Sequence, residues 1–482
     1  MRQKNQNQQL ELTLNSEGGG ETASAEIQGV EPLVVSQSNQ SPALKQRLME
    51  AICQRENLER AWKQVKSNQG SPGVDGLTIN QTRDYVREHW SIIREQLLQG
   101  IYQPKPVRRA EIEKPGGGIR KLGIPTVLDR LIQQAILQVL QAQWDPTFSE
   151  HSYGFRPGRS AHQAVAQAHQ YVTQGYRYVV DIDLEKFFDR VNHDLLMSRV
   201  ARRVGDKRLL KLIRAFLNAG VMDEGLVSPT KEGTPQGGPL SPLLSNLLLD
   251  DFDQELAKRG HRFCRYADDC NIYVRSQRAG ERVMQSACRF LTTKLRLKVN
   301  EAKSAVANPQ ERQFLGFTIS QGESPKRWIS TKALKRFEQR IRKITKRTRG
   351  ASVAQIIKEL RVYMIGWRGY FGFCQTPRAL SNLESRIRRR LRMFIWRQWG
   401  NGPNRYAQLR RLGIGHDQAA IAAGSPTGFW SMSRHVVVQK ALNNAYFDSL
   451  GLPKLVVVKE AQSKRIAVVR SRMPGGVGGG KP

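Results

Sequence analysis

A chain of 482 residues is long enough for two or three domains with a sizeable core. Its 77 Lys and Arg against 42 Asp and Glu leave a net charge of +35, which self-repels unless a polyanion neutralises it, so nucleic acid is the leading partner. No apolar run approaches the ~20 residues that span a bilayer and the N-terminus lacks a signal-peptide core, so no membrane partner and a cytoplasmic location are expected; five scattered cysteines without a C-x-x-C pair argue against a disulfide framework or zinc ribbon.

Residues 1–42, rich in Gln, Asn, Ser, Glu and Gly, predict a disordered leader. Helical spacing from about Pro42 puts Leu44, Leu48, Ile52, Leu58 and Trp62 on one face and breaks in a loop at 67–76. Two short strands, 110–114 and 119–125, surround a Pro-Gly-Gly-Gly turn and predict a hairpin that brings Lys114 and Arg120 to one side. The glycines let backbone approach a phosphate, or simply turn the chain. Residues 127–144 have the spacing of an amphipathic core helix containing Leu131, Ala135, Leu140 and either Ile136 or Leu137. The loop at 151–160 interleaves arginines with aromatics, which suits nucleic-acid contact or, more plainly, a surface loop before a helix cap.

Residues 178–184 alternate as a strand, which puts Asp181 and Asp183 on the same face without choosing between them. A glycine-hinged loop at 233–242 carries Gln236, whose amide both donates and accepts, and leads into an apolar helix at 243–256. Within 263–274 two strand-like arms flank Tyr266-Ala267-Asp268-Asp269, predicting a hairpin with the acids at its tip. Adjacent carboxylates repel, so a partly buried pair requires a cation, most simply a metal; the plain alternative is a solvated turn. A basic helix at 281–295 and a strand pair containing Phe314 and Phe317 follow. Residues 331–411 hold 22 Lys and Arg against three acids, yet Leu334, Phe337, Ile341 and Ile344, and then Leu383, Ile387, Leu391 and Phe394, keep helical spacing. These are helices with a basic outer face suited to a nucleic acid. Beyond Lys454 a basic, glycine-rich tail is expected to be flexible.

Seven segments stand in an order that resembles one family: SPGVDG, IRKLGIP, HSYGFRPGRSAHQAV, DIDLEKFFDRVNH, GTPQGGPLSPLLSNLLLD, RYADD and QFLGF. The match is to group II intron-encoded reverse transcriptase/maturases, over about residues 45 to 450, of the bacterial type lacking the C-terminal endonuclease. GWRGYFGF and the basic helices resemble that family's thumb and maturase domain. The resemblance implies an α+β right-hand polymerase: fingers at 43–177, a palm at 178–320, an all-α basic thumb and maturase region at 321–452, and a tail at 453–482. It selects Asp183 over Asp181, because Phe188 stands five residues beyond it as the aromatic that crowds a ribose 2′-OH. It implies that Asp183, Asp268 and Asp269 hold two Mg²⁺ ions, that Lys114 and Arg120 hold the dNTP triphosphate, and that Lys303 protonates pyrophosphate; Gln236, placed with the nucleotide site, could read a base pair's edge or a sugar, the plain alternative being a turn that leads into the helix. The partners implied are intron RNA, as template and ribonucleoprotein partner, and a DNA primer or target. Without an endonuclease the primer would come from another source, such as a nascent strand at a replication fork. Two alternatives stand beside this function: an RNA-binding splicing cofactor with a vestigial polymerase site, and a host-adopted reverse transcriptase in DNA repair or phage defence.

Overall fold

The computed structural model describes residues 47–113, 119–223, 226–228, 232–233 and 237–456. The predicted leader, Lys114, Gln236 and most of the tail lie outside the described residues. The chain gathers into two compact units, one taking the residues up to Tyr171 with Tyr176–Ala307, the other Val172–Gly175 and the chain from Asn308.

The first unit opens with α1 (Leu48–Ile52) and α2 (Arg55–Ser67), where spacing alone predicts one continuous helix. The break is stabilised from outside: Asn57 Nδ2 donates to the freed Ile52 carbonyl (3.0 Å) and to the Ala135 carbonyl (3.1 Å). Helix α3 (Ile79–Gln99) has no counterpart among the predicted elements, although Thr78 and Gln81 form a capping box at its start. Strands β1 (Val107–Glu113) and β2 (Ile119–Ile124) pair antiparallel. Helix α4 (Val127–Trp144), capped by Thr126, buries Leu131, Ala135, Ile136 and Leu140.

After α5 (Ala161–Thr173) come β3 (Tyr178–Ile182), α6 (His193–Arg203), α7 (Lys207–Asn218), β4 (Val221–Asp223) and β5 (Leu226–Ser228). Helix α8 (Ser241–Lys258) is buried on almost every side, its leucines and Phe252 together with the polar Asn246 and Asp253. The predicted acid-tipped hairpin is β6 (Arg262–Tyr266) and β7 (Asp269–Val274), followed by α9 (Gln277–Thr293) and β8 (Ala305–Ala307). Two four-stranded sheets result, β2-β1-β4-β5 and β6-β7-β3-β8.

Helix α9 lies tightly on the second sheet. A Cβ added at Gly280 would stand 2.4 Å from Val306 Cγ1 and 3.3 Å from Val274 Cγ2, so no larger residue fits there. Val180, Val274 and Val306 therefore face the helix, and strand alternation turns Asp181 and Asp183 to the opposite face.

The second unit starts with a two-stranded sheet of β9 (Phe317–Ile319) and β10 (Arg327–Ile329) and is otherwise helical. Its main helices are α10 (Thr331–Ile344), α11 (Val353–Phe371), α12 (Pro377–Gln398) and α13 (Gly402–Arg411), followed by shorter α14 (His416–Gly424), α15 (Phe429–Met432), α16 (Val436–Ala441) and α17 (Asn444–Ser449). Phe337, Ile341 and Ile344 of α10 and Leu383, Ile387, Leu391 and Phe394 of α12 are buried in one core, each such side chain contributing about 1.5–3 kcal/mol. Packing continues past Lys454: Leu455 is buried, and the Leu455 and Val456 N–H groups both donate to Glu384 Oε1.

Candidate active site

Strands β6 and β7 join through the two-residue turn Ala267-Asp268, with Tyr266 paired to Asp269. Ala267 sits at φ 58°, a conformation that costs energy for a residue with a Cβ and persists only where the surroundings hold it. The surroundings here converge on Arg265. Its guanidinium is buried, grips Asp253 of α8 with Nε (2.7 Å) and Nη2 (2.6 Å), and donates from Nη1 to the Ala267 carbonyl (2.9 Å) and Asn246 Oδ1 (3.0 Å). A further bond runs from Nη2 to Ser152 Oγ (2.8 Å). Asn246 in turn donates to the Gly154 carbonyl, and Gly154 rests directly on the turn, where a Cβ would fall 2.3 Å from Ala267 N. The loop at 151–154, the core helix α8 and the acid-bearing turn are thus locked together by one side chain. A buried arginine is costly unless every donor is engaged, and here its pKa is driven by burial downward and by Asp253 upward, the net direction being upward.

Across the sheet, β3 ends at Ile182, paired with Cys270, so Asp183 follows directly and continues the register toward Asp269. A segment at 298–304 runs alongside. Asn300 N–H donates to the Asp183 carbonyl (2.8 Å), Ser304 Oγ accepts from Asp183 N–H (3.0 Å), and Lys303 Nζ lies 3.5 Å from Asp183 Oδ2. Asp181 is engaged inside the sheet instead: the Asn271 amide, oriented to satisfy its neighbours, donates to Asp181 Oδ1 at 2.9 Å.

Asp183, Asp268, Phe188, Asn300 and Lys303 line one cleft of about 970 Å³, whose other wall includes Arg109 and Lys121 of the β1–β2 hairpin. Asp269 adjoins it. Its carboxyl is pushed up to about 7, first by loss of hydration and then by the charges of Asp268, Asp181 and Asp183, with Lys303 opposing. Because Asp269 keeps exposed surface, the repulsion is the firmer of the two causes. Among the described residues no three His, Cys, Asp or Glu side chains already converge as a metal cluster. The donor set nonetheless suits a divalent cation, being hard carboxylate oxygens that crowd one another.

Two more predicted residues have closely packed neighbours along the chain. Arg120 pairs through its backbone with Ile112, while its neighbours Ile119 and Lys121 line the cleft. On either side of the segment with Gln236, which lies outside the described residues, a Cβ at Gly233 would meet the Phe188 carbonyl at 2.9 Å, and one at Gly237 the Gly123 carbonyl at 2.5 Å. In the loop at 151–160 Phe155 and Arg159 are exposed, whereas Arg156 is not available to a nucleic acid. Arg156 is buried and spent internally on Asp145 Oδ1 (2.8 Å) and on the Ser149, Ser152 and Asp145 carbonyls, leaving no fork for a phosphate.

A carboxylate-floored cleft on an antiparallel sheet, backed by two helices and faced by an antiparallel strand pair bearing basic residues, is the palm and fingers of a template-directed polymerase. The comparisons agree. A family model for reverse transcriptase (RNA-dependent DNA polymerase) matches residues 112–319, and one for the group II intron maturase-specific domain matches 334–413. Protein YkfC of Escherichia coli (strain K12) is 36% identical over 320 residues, covering 58% of this chain and 84% of that protein. The group II intron-encoded protein LtrA of Lactococcus lactis subsp. cremoris is 34% identical over 206 residues, covering 42% of this chain and 34% of LtrA. A putative COX1/OXI3 intron 1 protein of Saccharomyces cerevisiae is 24% identical over 412 residues, 74% of this chain and 49% of its own. The chain therefore belongs to the group II intron-encoded reverse transcriptase/maturase family, whose enzymes are RNA-directed DNA polymerases.

Proposed function

We propose that the protein copies RNA into DNA in the Asp183–Asp268 cleft and that its basic C-terminal helices bind group II intron RNA, assisting its splicing and carrying it to a DNA target for retrohoming. The observation that carries the first part is the meeting of Asp183 and Phe188 with Asp268 and Lys303, distant from them in sequence, in one cleft. Asp183, Asp268 and Asp269 would hold two Mg²⁺ ions, which when bound activate the primer 3′-oxygen and neutralise the departing pyrophosphate. The protein's own groups do the rest. Phe188, held edge-on against Phe187, crowds the ribose 2′ position and so selects dNTPs. Lys303 carries a proton for pyrophosphate, at the margin of the same cleft. Lys114 and Arg120 hold the triphosphate, with Arg109 and Lys121 adding positive charge nearby. Gln236 contacts the nascent pair, and a DNA strand supplies the primer.

The second part is supported by the maturase-domain match and by the outer face of α10, where Lys332, Lys335, Arg336, Arg340 and Lys343 are all exposed. Splicing separates the two roles. A group II intron precursor that splices slowly alone should splice faster with the wild-type protein and with Asp268→Ala, whereas Arg336→Glu with Arg340→Glu should weaken RNA binding by about tenfold or more, most at low salt. RNA affinity that stays constant between about 50 and 200 mM salt would sink the polyanion reading.

A further inference from the structure

A dense concentration of positive charge lies within the second unit. A cavity of about 620 Å³, within the ~300–1,000 Å³ range of small-molecule sites, is lined by α10, α12 and residues 430–444. Seven arginines line it, and among the described lining residues the one acid is Glu338, which is already engaged by Arg386 and Arg342. The arginines are held differently. Arg390 and Arg392 are structural, since Nε of the first donates to Thr345 Oγ1 (2.6 Å) and Nε of the second to the Leu442 carbonyl (2.9 Å). Arg389 is built differently. Its guanidinium lies over the Trp430 ring, 3.7 Å from the centroid, and is oriented by Ser433, whose Oγ donates to the Trp430 carbonyl while lying 3.3 Å from Arg389 Nε. Arg434 stands close enough to press on Arg389: burial first and Arg434 second draw its pKa down. Trp430 itself stays 44% exposed.

We propose that this cavity is a pocket for one unpaired RNA nucleotide, its base against Trp430 and its flanking phosphates among Arg389, Arg434 and Arg386. The inference rests on the RNA-binding role proposed above and names the site that would deliver it. An exposed indole beside paired guanidinium groups matches the two faces of a nucleotide, a π-surface and an anion. A cavity, unlike a flat basic surface, admits a base only once it is unstacked, so single strands, loops and bulges are favoured over duplex.

The test uses the full chain with its polymerase cleft occupied by an RNA–DNA primer–template hybrid, and a single-stranded RNA decamer containing 4-thiouridine as probe. Ultraviolet crosslinking followed by mass spectrometry should place the crosslink within 429–434. Trp430→Ala should weaken decamer binding by about tenfold and Trp430→Phe should restore it. Arg434→Gln, at an exposed position that leaves folding intact, should weaken binding and lower the salt slope by about one. A decamer abasic throughout should be indifferent to Trp430→Ala. Crosslinks found only elsewhere, or Trp430→Ala and Arg434→Gln binding as wild type, would overturn the pocket. A blunt RNA duplex bound as tightly as the decamer and weakened equally by both variants would overturn it in favour of a plain phosphate patch. A wild-type protein that neither extends primers nor accelerates splicing would instead defeat the functional reading on which the inference rests.

Discussion

Arg265 offers a way to separate folding of the palm from placement of its acids. Arg265→Met leaves Asp253, which is fully buried, without its counter-ion, and losing one partner of a buried pair costs about 3–5 kcal/mol. Adding Asp253→Leu removes the stranded charge, and exchanging both members for apolar residues is often nearly neutral, so the double variant should melt in urea within about 2 kcal/mol of wild type. Activity should not follow stability back. Both variants lose the donors to the Ala267 carbonyl, Asn246 and Ser152 that hold a turn with Ala267 in the left-handed region. A displacement of about 1 Å at a reacting group costs about 100-fold, so primer extension in the double variant should remain about 100-fold below wild type. The reasoning fails if extension recovers together with stability, since Arg265 would then be only a structural cation.

Other outcomes follow from particular contacts. Gly154→Ala drives a Cβ into the Ala267 backbone, where neither side can swing away, so it should cost about 1–3 kcal/mol in melting experiments and lower extension at saturating dNTP by about tenfold; wild-type behaviour would contradict the packing of the turn. Phe188→Ala should raise the ribonucleotide-to-deoxynucleotide incorporation ratio by about tenfold or more, and an unchanged ratio would remove Phe188 as the sugar gate. Asp129 is buried, accepts from Tyr102, Thr126 and Lys105 N–H, and is pushed up to about 6, burial outweighing those bonds. Its folded pKa is raised, so its contribution to stability is full below about pH 4 and is lost as pH rises through about 6. Urea melts from pH 4 to 7 should show Asp129→Asn losing less stability over that interval than wild type; parallel profiles would contradict the assignment.

What could be read without coordinates depended on how local the determinants are. The β6–β7 hairpin was legible because apolar arms flank two turn residues, and the basic helices because Phe337 and Ile341, or Ile387 and Leu391, repeat at helical spacing. Asp181 and Asp183 could not be separated by pattern, because a period of two puts both on one face. Long-range facts distinguish them: β3 ends at Ile182, Asp183 opens into the cleft, and Asp181 is tied to Asn271. Arg265 carries no local signal of its importance, since its partner Asp253 sits in a helix that reads as apolar and Ser152 lies far back along the chain. Arg156 misled for the converse reason: an arginine among aromatics and glycines has the composition of a nucleic-acid loop, and only its buried acceptors reveal a structural role. The break between α1 and α2 depends on Asn57 finding an acceptor, the Ala135 carbonyl, on α4, which no window of sequence contains.

The central claim, that Asp183 and Asp268 form the polymerising site, is tested most directly by primer extension on an RNA template with Mg²⁺ and dNTPs, comparing wild type with Asp183→Ala and Asp268→Ala. Loss of charge stabilisation worth several kcal/mol should lower the rate by about 1,000-fold in each variant, with intron-RNA affinity unchanged. Extension by either variant at the wild-type rate would contradict the claim.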